Sequence, residues 1–231
     1  MKTSHWFVST LLLATTIAQA ADTPTAAPAH ELRVAFVISD NFNVIDFAGP
    51  WEVFQDAMLH TKTASGMQMR SLYELYTVST AAGTVKMAGA AAVKPEFTLK
   101  AAPQPDIVVI GAQTDNSPEL LDWLRAQAAR GATIMSVCTG AKKLALSGLI
   151  DGKPATSHHD YSEGFQKDYP KVNWQTSKRF VRSSDNIYTA GGLTSGIDLA
   201  LHIVAKKSGN DVAKATAEYM EYHGDGWTQA D

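Results

Sequence analysis

From Leu32 onward, short runs of apolar residues alternate with longer stretches in which apolar positions recur at helical spacing. That alternation is the signature of an α/β protein with a mostly parallel sheet. LRVAFVIS (Leu32 to Ser39) reads as a buried first strand, followed by a loop, DNFNVIDFAG, and then a helix opened by Pro50 and running through WEVFQDAMLH. YELYTVST (Tyr73 to Thr80) reads as a second strand. Gly83, Gly89 and Pro95 punctuate β-type residues between Ala82 and Leu99, which predicts a hairpin at the sheet edge. DIVVIG (Asp106 to Gly111) sets four consecutive apolar residues between an Asp and a Gly, as a central strand covered on both faces requires. In the helix that follows, Ser117 is the cap, Pro118 and Glu119 form the first turn, Leu120, Leu121 and Leu124 form the apolar stripe, and Gly131 is the stop. ATIMSVC is another central strand, TGAKKLALSGLI another helix, and TSGIDLALHIVAKKSG a last helix with Ile197, Leu201 and Val204 on one face. These elements predict a three-layer sandwich, with residues 31 to 231 as one domain free of linkers and repeats.

The first twenty residues follow a different pattern. MKTSHWFVSTLLLATTIAQA carries Lys2, an apolar stretch from Trp6 to Ile17, and small residues Ala18 and Ala20 around Gln19, which reads as a secretory signal peptide cleaved after Ala20. The stretch falls short of the roughly 20 residues of a membrane span, so no membrane anchor is expected. The expected location is periplasmic or secreted, with residues 21 to 30 as a flexible lead-in. Twenty basic against 23 acidic residues leave no electrostatic footprint for nucleic acid or anionic lipid, and a small molecule is the expected partner. A single cysteine in 231 residues excludes an intrachain disulfide and any Cys-based metal cage. In an oxidising compartment such a thiol has no partner in its own chain and is exposed to oxidation.

That cysteine, Cys138, sits in S-V-C-T-G, between a buried strand and a helix. Ligands of open α/β sheets bind at the carboxyl ends of strands. The following helix dipole favours thiolate there, and a sharp turn exposes the side chain in the manner of a nucleophile elbow. The alternative is a small buried hydrophobe. Asp46, in N-V-I-D-F-A-G-P, lies in the loop after the first strand, where apolar neighbours Ile45 and Phe47 would raise its pKa and suit it to acid/base work. Equally, it could cap the helix near Pro50. Gly111 and Ala112 form a second βα turn whose amides, with that of Thr139, could make an oxyanion hole, or only a turn. Gly140 belongs to the same lining, and Gly191 and Gly192 form either a pocket wall or a turn before a helix capped by Thr194 or Ser195. Among the histidines, His30, His60 and His223 read as surface residues and His202 as a satisfied core residue. His158 either lines the site or is structural. On a strand, His158 and His159 would point to opposite faces, so no shared metal is expected. No GxGxxG, Walker A or HExxH pattern is present.

Three segments, I-D-F-A-G-P-W-E-V-F, S-V-C-T-G-A-K-K-L-A-L-S-G-L-I-D-G-K-P-A-T-S-H and T-A-G-G-L-T-S-G-I-D, resemble the ThiJ/PfpI superfamily, with its flavodoxin-like, class I glutamine amidotransferase-like fold. Within it, the chain is similar to the isonitrile hydratase branch and to the related domains of AraC-type regulators, from about Leu32 to about Ala205. The resemblance implies Cys138 as nucleophile, Asp46 as acid/base and Thr139 as a supporting residue, with no cofactor. PfpI-type proteases have histidine at the place of Thr139, which argues against peptidase activity. The implied reaction is hydration of an isonitrile to an N-substituted formamide, and the implied assembly is a homodimer. The same resemblance leaves room for a small-molecule-binding or redox-sensing protein, or for aldehyde detoxification without a cofactor. The helices that regulators append for DNA binding are not expected in a chain ending at Asp231.

Overall fold

The computed structural model describes residues 27–89 and 91–229; the expected leader lies outside them. In chain order the elements are β1 (Leu32–Val37), α1 (Val44–Asp56), β2 (Met58–Thr63), β3 (Gly66–Ser71), β4 (Tyr73–Ser79), β5 (Val85–Lys86), β6 (Ala92–Val93), β7 (Phe97–Thr98) and β8 (Ile107–Ile110). There follow α2 (Pro118–Ala129), β9 (Thr133–Ser136), a one-turn 3-10 helix at Cys138–Gly140, α3 (Ala141–Leu146), β10 (Pro154–Ala155) and a second 3-10 turn at His159–Tyr161. The rest comprises α4 (Ser162–Asp168), β11 (Asn173–Trp174), β12 (Phe180–Ser184), β13 (Ile187–Ala190), α5 (Ser195–Ser208) and α6 (Asn210–Tyr219).

Seven strands form the main sheet in the order β12-β13-β9-β8-β1-β4-β7, parallel except where β12 meets β13. The expected three-layer α/β architecture is what forms. Alternate residues of the central strands face opposite layers: Val34, Phe36, Ile107 and Val109 pack with α1, α5 and α6, whereas Ala35, Val37, Val108 and Ile110 pack with α2 and α3. Burial on both faces explains the unbroken apolar runs, each large aliphatic side chain contributing about 1.5–3 kcal/mol.

The chain runs from β1 outward to β4 and β7, then returns to β8 on the other side of β1. The strand order therefore reverses between β1 and β8, and at such a point the loops leaving the carboxyl ends diverge and open a crevice.

Several local expectations give way. The first helix starts at Val44, six residues before Pro50, because the Asn43 side chain accepts from the Ile45 amide and caps it there. Pro50 stands inside the helix, against Gly196 of α5. The helix stops at Asp56, and Met58 to His60 belong to a hairpin, β2–β3, whose residues are mostly exposed and so carry no apolar alternation. The edge hairpin expected between Ala82 and Leu99 is a separate β5–β6 pair, and only β7 joins the main sheet. The helix expected through Ile150 ends at Leu146, where Ser147 closes it and Gly148 turns with φ 75°. Ser117 caps α2 as expected, accepting from the Leu120 amide.

Candidate active site

Four strand ends converge beside the point of reversal: the first turn of α1, which follows β1, and the turns after β8, β9 and β13 bring together Asp46, Gly111–Ala112, Cys138 and Gly191–Leu193. Cys138 occupies the turn between β9 and the 3-10 helix. Val137 is extended, with φ −120° and ψ 141°, and Cys138 then flips to φ 58°. A non-glycine residue in the left-handed region stores about 1–3 kcal/mol and persists only where its surroundings hold it. Here the Cys138 amide donates to Gly191 O at 2.9 Å, the Ser157 hydroxyl donates to Cys138 O at 2.9 Å, and the Val137 amide donates to Ile110 O at 3.0 Å. Gly140 lets this turn press onto β8, for a Cβ there would stand 2.2 Å from Ile110 O. The expected sharp strand-to-helix turn is present, but the side chain it was expected to expose is buried, because Asp46 and the loops after β8 and β13 close over it; the amides of Thr139 and Leu193 donate to its sulfur. Leu193 is itself left-handed, at φ 53°.

Asp46 arrives from α1 rather than from a loop. It lies in the helix's first turn and is 1% exposed, and the capping role considered for it belongs to Asn43. A reciprocal clamp fixes it: the Asn43 amide donates to Ala112 O at 2.9 Å, and the Ala112 amide donates to Asp46 Oδ2 at 3.0 Å. Gly111 permits this approach, since a Cβ there would lie 2.6 Å from Asp46 Cβ. Gly111 and Ala112 therefore serve the carboxylate, and the Ala112 amide is engaged there instead of in the oxyanion hole expected of it. The Gly140 amide likewise closes the turn onto Val137 O at 2.9 Å, leaving Thr139 and Leu193 as the donors facing the sulfur.

The Asp46 carboxyl and the Cys138 thiol are close enough that each shifts the other's pKa. Burial pushes the Asp46 carboxyl up to about 6, against the opposing pull of the Ala112 amide, the thiol and the Lys143 ammonium. Burial also pushes the Cys138 thiol up to about 11, and the neighbouring Asp46 charge adds to it. The expectation of a resting thiolate is corrected on this point: two residue amides and a short following helix do not offset a buried site beside a carboxylate. Near neutrality the pair therefore rests as thiol and carboxylate.

Lys143, one turn into α3, is a group that sequence reading missed. It is 2% exposed, donates from Nζ to Gln113 O at 2.5 Å, and is driven down to about 8, chiefly by burial and then by Lys142. Ser157 and Leu193 were missed as well. A hydroxyl bound to a carbonyl 19 residues away and a left-handed leucine leave no local mark in a sequence.

His158 packs beside this loop: a Cβ on Gly192 would stand 2.2 Å from His158 Cδ2. Its run is a 3-10 turn, not a strand, so the argument from opposite faces fails, and the His158 and His159 rings stack on one side with centroids 4.5 Å apart. Thr194 stands at the N-terminus of α5 without a side-chain capping bond. His202 is the satisfied core residue expected, its Nδ1 3.1 Å from Trp227 O.

A cavity of about 10 Å³ touches Asp46 and Gly111 and is walled by Phe36, Phe42 and Phe47. A groove of about 470 Å³ lies elsewhere, along Ala145–Gly148 and Asp168–Lys171, away from the thiol. Cys138 itself is 4% exposed.

Known proteins resemble this chain in sequence and in fold. The isonitrile hydratase of Pseudomonas putida is 27% identical over 197 residues, covering 83% of this chain and 78% of its own. The HTH-type transcriptional regulator GbdR of Pseudomonas aeruginosa is 28% identical over 193 residues, 82% of this chain, which spans about half the regulator's length. Among solved structures, a ThiJ/PfpI family protein from Pseudomonas syringae superposes with a TM-score of 0.70 at 23% identity, covering 91% of this chain and 84% of its own. DJ-1beta of Drosophila melanogaster superposes with a TM-score of 0.68 at 17% identity, covering 84% of this chain and 100% of its own. The family model described as DJ-1/PfpI matches residues 32–206, and the chain belongs to the DJ-1/PfpI family.

Proposed function

We propose that the protein is a cysteine-dependent hydratase of small electrophiles, with an isonitrile as the substrate type. One observation carries the reading: a nearly sealed thiol in a left-handed turn beside a buried carboxyl whose pKa is raised to about 6. A base of that strength is ionised at neutral pH yet gives its proton back readily, as a two-way proton carrier must. Little of the sulfur is open, which suits a linear, one-atom-wide terminus better than a peptide carbonyl. The 27% identity to the Pseudomonas putida isonitrile hydratase supports the same choice.

In the proposed cycle the Cys138 S–H proton passes to Asp46 as sulfur bonds to the terminal isonitrile carbon. Asp46 then protonates that carbon, giving a thioimidate. Asp46, again a carboxylate, takes a proton from water as its oxygen adds to the carbon and passes that proton to the nitrogen, returning to the carboxylate. The carbon–sulfur bond breaks, the thiol regains its proton from the hydroxyl by way of Asp46, and an N-substituted formamide leaves. Negative charge on sulfur in the first and last steps is stabilised by the amides of Thr139 and Leu193.

The regulator relatives favour a second reading, a ligand-sensing protein without turnover. The two part company when wild type, C138A and D46N are incubated with a simple alkyl isonitrile and formamide is followed by NMR, with glyoxal in parallel. Turnover by wild type alone supports the hydratase. Thermal stabilisation by the isonitrile without product would establish the sensor, and turnover retained by C138A would overturn the mechanism.

A further inference from the structure

A second group of chemistry-bearing residues lies on the 3-10 turn after β10. Because His158, His159 and Asp160 occupy a tight turn, their side chains gather on one side. The two imidazoles stack at 4.5 Å with 21° between planes, and one donor atom from each of the three residues lies within 4.8 Å of the others. His159 Nε2 is 3.0 Å from Asp160 Oδ1, and His158 Nδ1 is 3.8 Å from Asp160 Oδ2. A tetrahedral ion with bonds of about 2.0–2.1 Å needs ligand-to-ligand edges of about 3.3 Å, so the three donor atoms, already within 4.8 Å of one another, need only draw together to share one.

The His158 ring is held in place. It packs on Gly192 with no room for a Cβ between them, and its side chain is 17% exposed. The Asp160 amide donates to its Nδ1 at 3.2 Å, so that nitrogen presents a lone pair on the side of the Asp160 carboxylate. His159 and Asp160 are open to solvent at 83% and 69%, which gives an ion a way in and leaves room for water ligands. Two imidazoles and one carboxylate select first-row transition ions over Mg²⁺ or Ca²⁺, which prefer all-oxygen sites.

We propose that His158, His159 and Asp160 bind one divalent transition-metal ion of the Zn²⁺ or Cu²⁺ class, the ion displacing the Asp160 amide from His158 Nδ1. This site is independent of the hydratase reading. The test uses the full chain carrying C138S, so that the thiol cannot compete as a ligand, without an affinity tag. Calorimetric titration with Zn²⁺ is expected to show one ion per chain. Binding should weaken about tenfold or more in H159A and in D160N and stay unchanged in H60A. With Cu²⁺, electron paramagnetic resonance should show hyperfine coupling to two imidazole nitrogens, reduced to one in H159A. No saturable Zn²⁺ binding up to about millimolar ion, or binding that survives the combined H159A and D160N substitutions, would overturn the proposal.

Discussion

Replacing Asp46 with asparagine should make the protein more stable while removing its proposed base. The carboxyl is 1% exposed; Oδ2 accepts the Ala112 amide, while Oδ1 lies buried without a hydrogen-bond partner. Burial is the largest influence on its pKa, raising it from 3.8 to about 6. Between those values the folded chain holds a proton that the unfolded chain has released. Stability therefore falls as pH rises through the window, and the full penalty, about 3 kcal/mol, is present above pH 6. Asparagine mimics the protonated form and keeps an oxygen for the Ala112 amide. D46N should thus gain about 3 kcal/mol at about pH 7.5 and only about 1 kcal/mol at about pH 4.5. In urea, with a slope of about 2–3 kcal/mol/M, the difference appears as a midpoint raised by about 1 M at the higher pH. A D46N protein no more stable than wild type at neutral pH, or a gain of equal size at both pH values, would refute the reasoning.

Other expected outcomes draw on the same geometry. Turnover of an isonitrile should rise with pH through about 6 as Asp46 ionises, a limb read from the pH dependence of kcat/KM. Removing the Lys143 charge with K143M should move that limb to higher pH, because the ammonium pulls the Asp46 pKa down; an unmoved limb would show that the cation does not act on the pair. G140A would drive a Cβ into the Ile110 carbonyl, a backbone atom that cannot rotate aside, and should destabilise by about 3 kcal/mol in thermal unfolding. S157A strips the hydroxyl from the buried Cys138 carbonyl and should destabilise by about 1–3 kcal/mol, with a loss of kcat exceeding any change in KM.

The residues that could be read from the sequence are those whose local pattern states their environment. Four apolar residues in DIVVIG announce a strand covered twice, and β8 is one. Ser117, Pro118 and Glu119 announce a helix start, and α2 begins there. Cys138 could be placed at an elbow because its turn lies between a strand and a helix in the sequence itself. What escaped the reading depends on contacts across the fold. Pro50 is a strong start signal only when no better cap precedes it, and Asn43 does. The β2–β3 hairpin is held by its own ladder and turn rather than by a buried face, so hydrophobic spacing is silent about it. The Ala112 amide seemed available because its partner, Asp46, lies 66 residues earlier in the chain. The resting charge of the thiol was misjudged for a similar reason: a helix start is visible in sequence, whereas the desolvation that outweighs it follows from packing.

The near closure of Cys138 also has a meaning in time. A side chain 4% exposed meets a reagent only when the surrounding loops part, so its modification is governed by how often they do. The open side of the wall is Leu193, itself 41% exposed and held left-handed, whereas Gly191 before it is pinned at both its amide and its carbonyl. A bulky thiol reagent should accordingly react at a rate that stops rising with its concentration once opening becomes limiting, while a narrow one should keep accelerating. The ceiling rate would be a clock for the loop, and it would set an upper bound on turnover for any substrate broader than the gap.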